Sequence, residues 1–161
     1  MKIEEKIRIA QAMYRDRGEK LKNAPAISGR LEELAECAKE SGRMSVESGV
    51  SAACRRCDER EGGSCCGAGI ENRYTPEMLL INLLLGVDLP DSRPSEKSCW
   101  FLGECGCLLA ARDVLCINYL CTRLQREIPM ENLIRLQETN GREMEVLFAL
   151  HDRLKRQSKQ D

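Results

Sequence analysis

Apolar side chains recur at helical spacing in the first third of the chain. Residues 2 to about 22 carry an apolar stripe between charged positions, formed by Ile3, Ile7, Ala10, Tyr14 and Leu21. This pattern predicts an amphipathic helix, which Pro25 closes. A second helix is predicted from after Ser28 to near Gly42, with inward positions at Leu31, Leu34, Ala35 and Ala38. Ser45 to Ala53 adds one or two further turns.

Three more helices are predicted in the second half of the chain. Thr75-Pro76-Glu77 combines a capping hydroxyl, a first-turn proline and an acid, and so predicts a helix from there to about Gly86. Residues 113 to 126 form the next helix, and Ile128-Pro129 marks a break. A long amphipathic helix follows, with a stripe at Met130, Leu133, Ile134, Gln137, Met144, Leu147, Phe148, His151 and Leu154. Asn140-Gly141 is a point at which this helix would kink or split.

The segments between these helices show neither the apolar spacing of a helix nor the alternation of a strand. Cys54 to Arg73 interleaves glycines with cysteines and predicts an irregular loop, and Asp88 to Ser98 is a polar, turn-rich connection. We therefore predict an all-α fold, with helices packed around an irregular cysteine-rich metal-binding core and a long C-terminal helix. Its parts are an N-terminal helical segment (1–50), the cysteine-rich core (51–125) and a C-terminal helix packing on the core (126–161).

Composition narrows the class of protein. Charged residues make up 32% of the 161 positions and aromatics only 4%, which is typical of a helix-rich globular protein. The formal net charge of -1 offers no overall attraction to nucleic acid or to an anionic membrane. Met1 to Gly18 lacks the apolar core of a signal peptide, so we expect a cytoplasmic protein, where clustered cysteines serve metal binding or redox chemistry more often than disulfides.

Ten cysteines dominate the chemistry, and eight of them fall into two blocks along the chain: Cys54, Cys57, Cys65 and Cys66, then Cys99, Cys107, Cys116 and Cys121. Clustered thiolates repel one another unless a cation or a disulfide removes that repulsion. Cys54 and Cys57 form a Cys-x-x-Cys pair of the kind that can place two sulfurs on one cation. The two blocks therefore supply candidate metal ligands.

The spacing within the blocks restricts how the sulfurs can be shared. Adjacent Cys65 and Cys66 cannot easily project towards one point, so either one of them binds or the two serve different metals. Cys116 and Cys121 would lie about 140° apart on an ideal helix, so the chain leaves the helix between them or the two sulfurs belong to different shells of a cluster. Cys105 is the alternative to Cys107. The remaining cysteine, Cys37, is predicted to be a small buried thiol.

The cysteine order resembles the CxxCxxCC, or YkgJ-type, family of zinc- or iron-chelating domains. That order is Cys-x-x-Cys, then Cys-Cys, then Cys followed by Phe-Leu, then Cys, and lastly Cys-x4-Cys. The resemblance spans Cys54 to Cys121 and implies a metal centre built from the eight cysteines. A related domain occurs in flagellin lysine methylases. Two features depart from the family: seven residues separate Cys57 from Cys65, and Arg112-Asp113 stands where the family often has Arg-Pro. Asp113 can still cap the following helix.

Zinc and an iron-sulfur cluster both accept four thiolates, so the residues do not choose between them. We favour iron slightly, because the double cysteine and the uneven spacing fit poorly with two separate zinc knuckles. Four arginines are available to offset the negative charge of either centre: Arg55, Arg56, Arg60 and Arg73. Trp100, Phe101 and Leu102 either shield the centre or are ordinary core residues.

Three functions remain open from the sequence. The first is a binding module, whose partner is a metal ion or cluster and in which a protein partner is a further option. The second is an iron-sulfur redox or protein-modifying enzyme, as the flagellin methylase relationship implies, and it ranks lower because no cofactor pocket or catalytic group is visible. The third is thiol redox switching at Cys54 and Cys57, which needs a low thiolate pKa.

Overall fold

The structure is a computed structural model that describes residues 1–61 and 65–157. The helices in chain order are α1 (Ile3–Asn23), α2 (Pro25–Glu47), α3 (Val50–Glu61), α4 (Pro76–Leu84), α5 (Val114–Asn118), α6 (Thr122–Glu127) and α7 (Met130–Gln157). A 3₁₀ turn covers Ile70–Arg73, and a short antiparallel hairpin joins β1 (Leu102–Gly103) to β2 (Gly106–Cys107). The predicted all-α fold with a long C-terminal helix is confirmed.

Local sequence signals explain several of these boundaries. The Thr75 hydroxyl accepts a hydrogen bond from the Met78 amide and caps α4, as its sequence predicted. Asp113 caps α5 in the same way, accepting from the Leu115 amide. The hairpin was not predicted. Its turn needs a positive φ at Gly106 (117°), which a glycine adopts without steric cost.

The second and third helices are longer than predicted. Helix α2 begins at Pro25, because proline is tolerated in the first turn, and it continues past Gly42 to Glu47. Ala35, expected to face inward, is exposed. The predicted irregular loop is wrong for its first eight residues, since Cys54 to Glu61 belong to α3. These residues include good helix formers and no glycine. The loop glycines Gly62 and Gly63 lie outside the described residues, as does Lys159 of the basic C-terminal end.

The predicted helix over residues 113 to 126 is two helices, α5 and α6, separated by residues 119–121. The expectation that the chain leaves the helix between Cys116 and Cys121 is confirmed. Helix α7, in contrast, is continuous through Asn140-Gly141. Buried Asn140 donates a hydrogen bond of 2.7 Å from its side chain to the Ile117 carbonyl, which ties this point of α7 to α5. The glycine after it is tolerated without a break.

Two hydrophobic clusters hold the helices together. The main cluster joins α1, α2, α4 and α7 to the segment around the hairpin, and it contains Tyr74, Leu80 and Phe101 among its most buried side chains. The second cluster is smaller and joins α2, α3, α6 and α7 through Met44, Val50, Ala53, Leu124, Leu133 and Leu136. Among the helices, α2 packs chiefly on α7, and α1 packs chiefly on α4. Within the described residues, each helix is too short or too polar to span a membrane.

Candidate metal centre

All ten cysteines lie in the described residues, and the structure joins none of them in a disulfide. The effects of neighbouring thiols on pKa sort eight of them into two groups, with one weaker link between Cys65 and Cys66. The inner set consists of Cys66, Cys99, Cys107 and Cys116. The outer set consists of Cys54, Cys57, Cys65 and Cys121. Relative to the two blocks along the chain, Cys66 and Cys121 have exchanged places.

Backbone pairing brings the first two members of the inner set together. The Cys99 amide donates a hydrogen bond of 2.7 Å to the Cys66 carbonyl, and the Ala68 amide donates one of 2.9 Å to the Lys97 carbonyl. Gly67 and Ser98 form an antiparallel bridge between these two bonds. Residues 66–68 therefore lie beside residues 97–99, which lead into Trp100 and Phe101.

The hairpin returns the third member to the same region. Cys107 pairs with Leu102 across the two strands, and the Leu108 amide donates 2.9 Å to the Phe101 carbonyl. Cys105 instead lies in the exposed turn between the strands. One residue of separation thus places Cys105 and Cys107 at different ends of the hairpin, in keeping with the choice of Cys107 as the candidate ligand.

Tyr74 connects the fourth member to this region. Its ring is buried and packs edge-on against Phe101, with 5.2 Å between the ring centroids. Its hydroxyl accepts a hydrogen bond of 3.0 Å from the Asp113 amide and lies 4.0 Å from Cys116 Sγ, to which it donates. One buried side chain therefore fixes the start of α5, and Cys116 within it, against the strand that follows Cys99.

A second buried side chain fixes the segment between the hairpin and α5. Asn82 of α4 is fully buried and forms two hydrogen bonds of 2.9 Å with Ala111, accepting from its amide and donating to its carbonyl. Arg73 forms an ion pair of 2.7 Å with Asp113, two residues further on. The positions of Cys107 and Cys116 thus depend on contacts with α4 and the 3₁₀ turn, which the local sequence does not encode.

Burial and neighbouring thiols act in the same direction on the inner set. Burial, together with the charges of the other three thiols of the set, raises the pKa of Cys66 to about 12. Burial likewise raises the pKa of Cys99 to about 11, partly opposed by the Phe101 amide, which lies 3.5 Å from its sulfur. The carboxylate of Glu71 also raises it. Such thiols are protonated at neutral pH unless a cation displaces the proton.

The outer set lies where α3 approaches α6. Cys54 and Cys57 are three residues apart and so share one face of α3, while Cys121 is the residue that precedes the first turn of α6. An ion pair of 3.3 Å between Arg56 and Glu127 links the two helices. Cys121 packs against the second hydrophobic cluster, which also contains Ala53, next to Cys54. Long-range contact between α3 and α6, not sequence order, therefore places Cys121 in this set.

The outer set is more open to solvent. Cys54 and Cys65 are exposed, whereas in the inner set only Cys107 is. Partial burial of the sulfur still raises the pKa of Cys54, and the other three thiols of the set raise it further, while Arg123 lowers it. Cys65 responds in the same way to burial and to Cys121 and Cys57. The same mutual repulsion of thiolates thus operates in both sets.

The side chains are grouped but not yet arranged as ligands. Within residues 1–61 and 65–157, no three cysteine, histidine, aspartate or glutamate side chains are placed so that they could hold one metal ion together. Binding by either set would therefore require rotations of the thiol side chains. The donor type and number nevertheless fit, because four thiolates are a complete ligand set for zinc or for a cubane cluster.

Comparisons with known proteins do not identify the chain: no family model, curated protein or solved structure matches it. The resemblance to the CxxCxxCC family therefore stays a prediction that rests on the cysteine pattern alone.

Some residues near the thiols were not expected from the sequence. Glu71 is buried, accepts a 2.8 Å hydrogen bond from the Gly69 amide and pairs with Arg93, and it faces Cys99. Arg112 carries a charge that lowers the pKa of Cys107 and Cys116 against the larger effect of burial, and it lies 3.7 Å from buried Glu143. Nothing in the sequence marked Tyr74 as a neighbour of the thiols, apart from its aromatic ring. For Arg112, the available sequence clue was its position just before the helix that carries Cys116.

Proposed function

We propose that the protein is a metal-binding module in which cysteine thiolates hold zinc or an iron-sulfur cluster. The observation that carries this proposal is the division of eight thiols into two interacting sets of four. Four thiolates saturate one zinc ion or one cubane cluster, so each set has the composition of a complete site. The ligands proposed are Cys54, Cys57, Cys65, Cys66, Cys99, Cys107, Cys116 and Cys121.

Charge supports this proposal. Clustered thiolates without a cation raise one another's pKa, and a bound cation relieves that repulsion. Four thiolates around Zn²⁺ leave a net charge of about -2, as does an oxidised cubane cluster with four thiolates. Arg112 near the inner set and Arg123 near the outer set offset part of this charge. Arg73 acts less directly, because it pairs with Asp113 at the start of α5.

The grouping also affects the choice of metal. The slight preference for iron rested on the double cysteine and the uneven spacing, which fit poorly with two separate zinc knuckles. That difficulty weakens when Cys65 and Cys66 belong to different sets, so zinc and an iron-sulfur cluster become equally good candidates. Bound zinc and a bound iron-sulfur cluster can be distinguished by colour, because zinc thiolates absorb no visible light and iron-sulfur clusters do.

The competing functions have weaker support. Redox switching at Cys54 requires a depressed thiol pKa, whereas burial and neighbouring thiols raise the pKa of Cys54. An enzyme needs a substrate pocket beside its reactive groups. A groove of about 290 Å³ does lie between α2 and α7, but it is lined by Glu33, Glu36, Cys37, Glu40, Thr139 and Arg142, none of them a proposed ligand.

The test is the metal content of the protein purified without oxygen. Zinc, iron and acid-labile sulfide are measured per chain, and the visible spectrum is recorded before and after dithionite. Zinc without colour, or iron with matching sulfide and a spectrum that dithionite bleaches, supports the proposal and names the metal. Protein that contains none of the three, and takes up neither zinc nor iron with sulfide after reduction of its thiols, contradicts it.

A further inference from the structure

The two sets of thiols are attached to different parts of the fold. Cys99 is a member of the main hydrophobic cluster, and Cys66 packs against that cluster. Cys121 packs against the second cluster instead. Three of the eight thiols belong to or pack against a hydrophobic cluster, and they divide between the two clusters in the same way as the thiol interactions do. This packing is an independent observation.

The inner set is held by buried contacts. Its four residues come from three segments, and those segments are joined by the backbone bond from Cys99 to Cys66, by the hairpin and by the hydroxyl of Tyr74. Asn82 adds two buried hydrogen bonds to the segment between Cys107 and Cys116. The hydrogen bonds of Tyr74 and Asn82 are buried and resist local opening, so they keep the segments that carry Cys107 and Cys116 in place as the protein fluctuates.

The outer set is held by weaker contacts. Its helices α3 and α6 are linked by the Arg56 and Glu127 ion pair, whose side chains are 47% and 37% exposed, and exposed ion pairs contribute little to stability. The second cluster beneath it is much smaller than the main one. Two of its four cysteines, Cys54 and Cys65, are exposed. In the inner set only Cys107 is exposed, so a chelator in solution has access to more residues of the outer set.

We propose that the inner and outer sets are two separate and unequal metal sites, an inner site that retains its ion as part of the structure and an outer site that exchanges its ion with solution. This inference rests on the proposed metal-binding function and adds the division and the inequality to it. Exchange at the outer site proceeds by replacement of exposed thiolates by ligands from solution, with no change of oxidation state. The outer site is then the one suited to transfer or sensing of a metal ion.

Zinc release separates the two sites. The reduced protein is loaded with Zn²⁺ alone, unbound zinc is removed, and release to excess chelator is followed with a chromogenic reporter. We expect two zinc ions per chain, leaving in two phases of equal amplitude whose rates differ by about tenfold or more, since contacts around ligands commonly change metal affinity by 10- to 100-fold. A single phase, or one zinc ion per chain, would overturn the inference.

Adjacent substitutions provide a matched pair of variants. Cys65→Ser is expected to remove the fast phase and keep the slow one, and Cys66→Ser is expected to remove the slow phase. Loss of the same phase in both variants would contradict two separate sites. Should Cys66→Ser fail to fold by circular dichroism, Cys121→Ser decides the matter, because it must remove the fast phase as Cys65→Ser does. Wild-type protein that takes up neither zinc nor iron would refute the proposed function itself. Release of bound zinc in a single phase would refute only the inference of two unequal sites.

Discussion

Cys65 and Cys66 share a peptide bond, yet their thiols interact with different partners. The Cys65 thiol interacts with Cys121 and Cys57, while Cys66 interacts with Cys116, Cys107 and Cys99 more strongly than with Cys65. Successive side chains of an extended or turning backbone point in different directions, so one vicinal pair can serve two sites. The pair thereby lies at the boundary between the inner and outer sets.

The hairpin gives a prediction for the two cysteines that flank Gly106. Cys107→Ser should lower the metal bound per chain, because Cys107 belongs to the inner set, whereas Cys105→Ser should leave it unchanged, because Cys105 lies in the exposed turn. Metal analysis of both variants, purified side by side, makes the comparison. Loss of metal from the Cys105 variant alone would show that the ligand has been assigned to the wrong residue.

Metal affinity should rise with pH. Burial raises the pKa of Cys66 to about 12 and that of Cys99 to about 11, so these thiols carry protons at neutral pH and metal binding must displace them. Each displaced proton changes the affinity by about tenfold per pH unit while the pH stays below the thiol pKa. Competition titrations with Zn²⁺ at about pH 6.5 and about pH 8 should therefore show tighter binding at the higher pH. An affinity that stays constant over this range would exclude protonated thiols as the ligands.

Asn82 should be important for stability. Replacing it with alanine leaves the buried amide and carbonyl of Ala111 without their partners, and each such loss costs about 1 to 3 kcal/mol. The free energy of unfolding of Asn82→Ala should fall by roughly 3 kcal/mol in urea titrations under reducing conditions. Gln137→Ala, at an exposed position of α7, is the control and should change stability by less than about 0.5 kcal/mol. Equal effects of the two substitutions would mean that the Asn82 contacts are not formed.

His151 should make stability depend on pH. Burial lowers its pKa in the folded protein, with Lys155 acting in the same direction and Glu77 and Asp152 in the opposite one. The unfolded chain, with a histidine pKa of about 6.5, then binds a proton more readily than the folded one, so this contribution to stability is present above about pH 6.5 and is lost as the pH falls below it. Urea titrations between about pH 7.5 and about pH 5 should show a smaller loss for His151→Gln than for the wild type. A glutamine there can still bond to the Thr75 hydroxyl, which lies 3.0 Å from His151 Nε2. If the wild type and His151→Gln lose the same free energy of unfolding as the pH falls, His151 is not the cause of the pH dependence.

The sequence predicted the helices well, because local signals determine them. The cap at Thr75, the stop before Pro25 and the break at Ile128-Pro129 each act over a few residues. The main error in the helices, the loop assigned to Cys54 to Glu61, came from giving cysteines and distant glycines more weight than the helix-forming residues between them.

The composition of the site was accessible to sequence, but its grouping was not. Vicinal Cys65 and Cys66 indicated that one of them binds or that the two serve different metals. The five-residue step from Cys116 to Cys121 indicated that the chain leaves the helix between them or that their sulfurs belong to different shells of a cluster. Which cysteines come together instead depends on the pairing of residues 66–68 with 97–99 and on the approach of α6 to α3. These contacts join segments about 30 or more residues apart in the chain, and no local pattern encodes them.

Thiol labelling tests most directly whether the eight cysteines bind metal. Protein purified without oxygen is treated with iodoacetamide, and the modified residues are mapped by peptide mass spectrometry before and after removal of metal with acid and chelator. We expect Cys105 to be labelled from the start, whereas the eight cysteines of the inner and outer sets are labelled more slowly than Cys105 until the metal is removed. Labelling of exposed Cys54 and Cys65 as fast as Cys105 in the untreated protein, with no change on metal removal at any of the eight, would contradict this expectation.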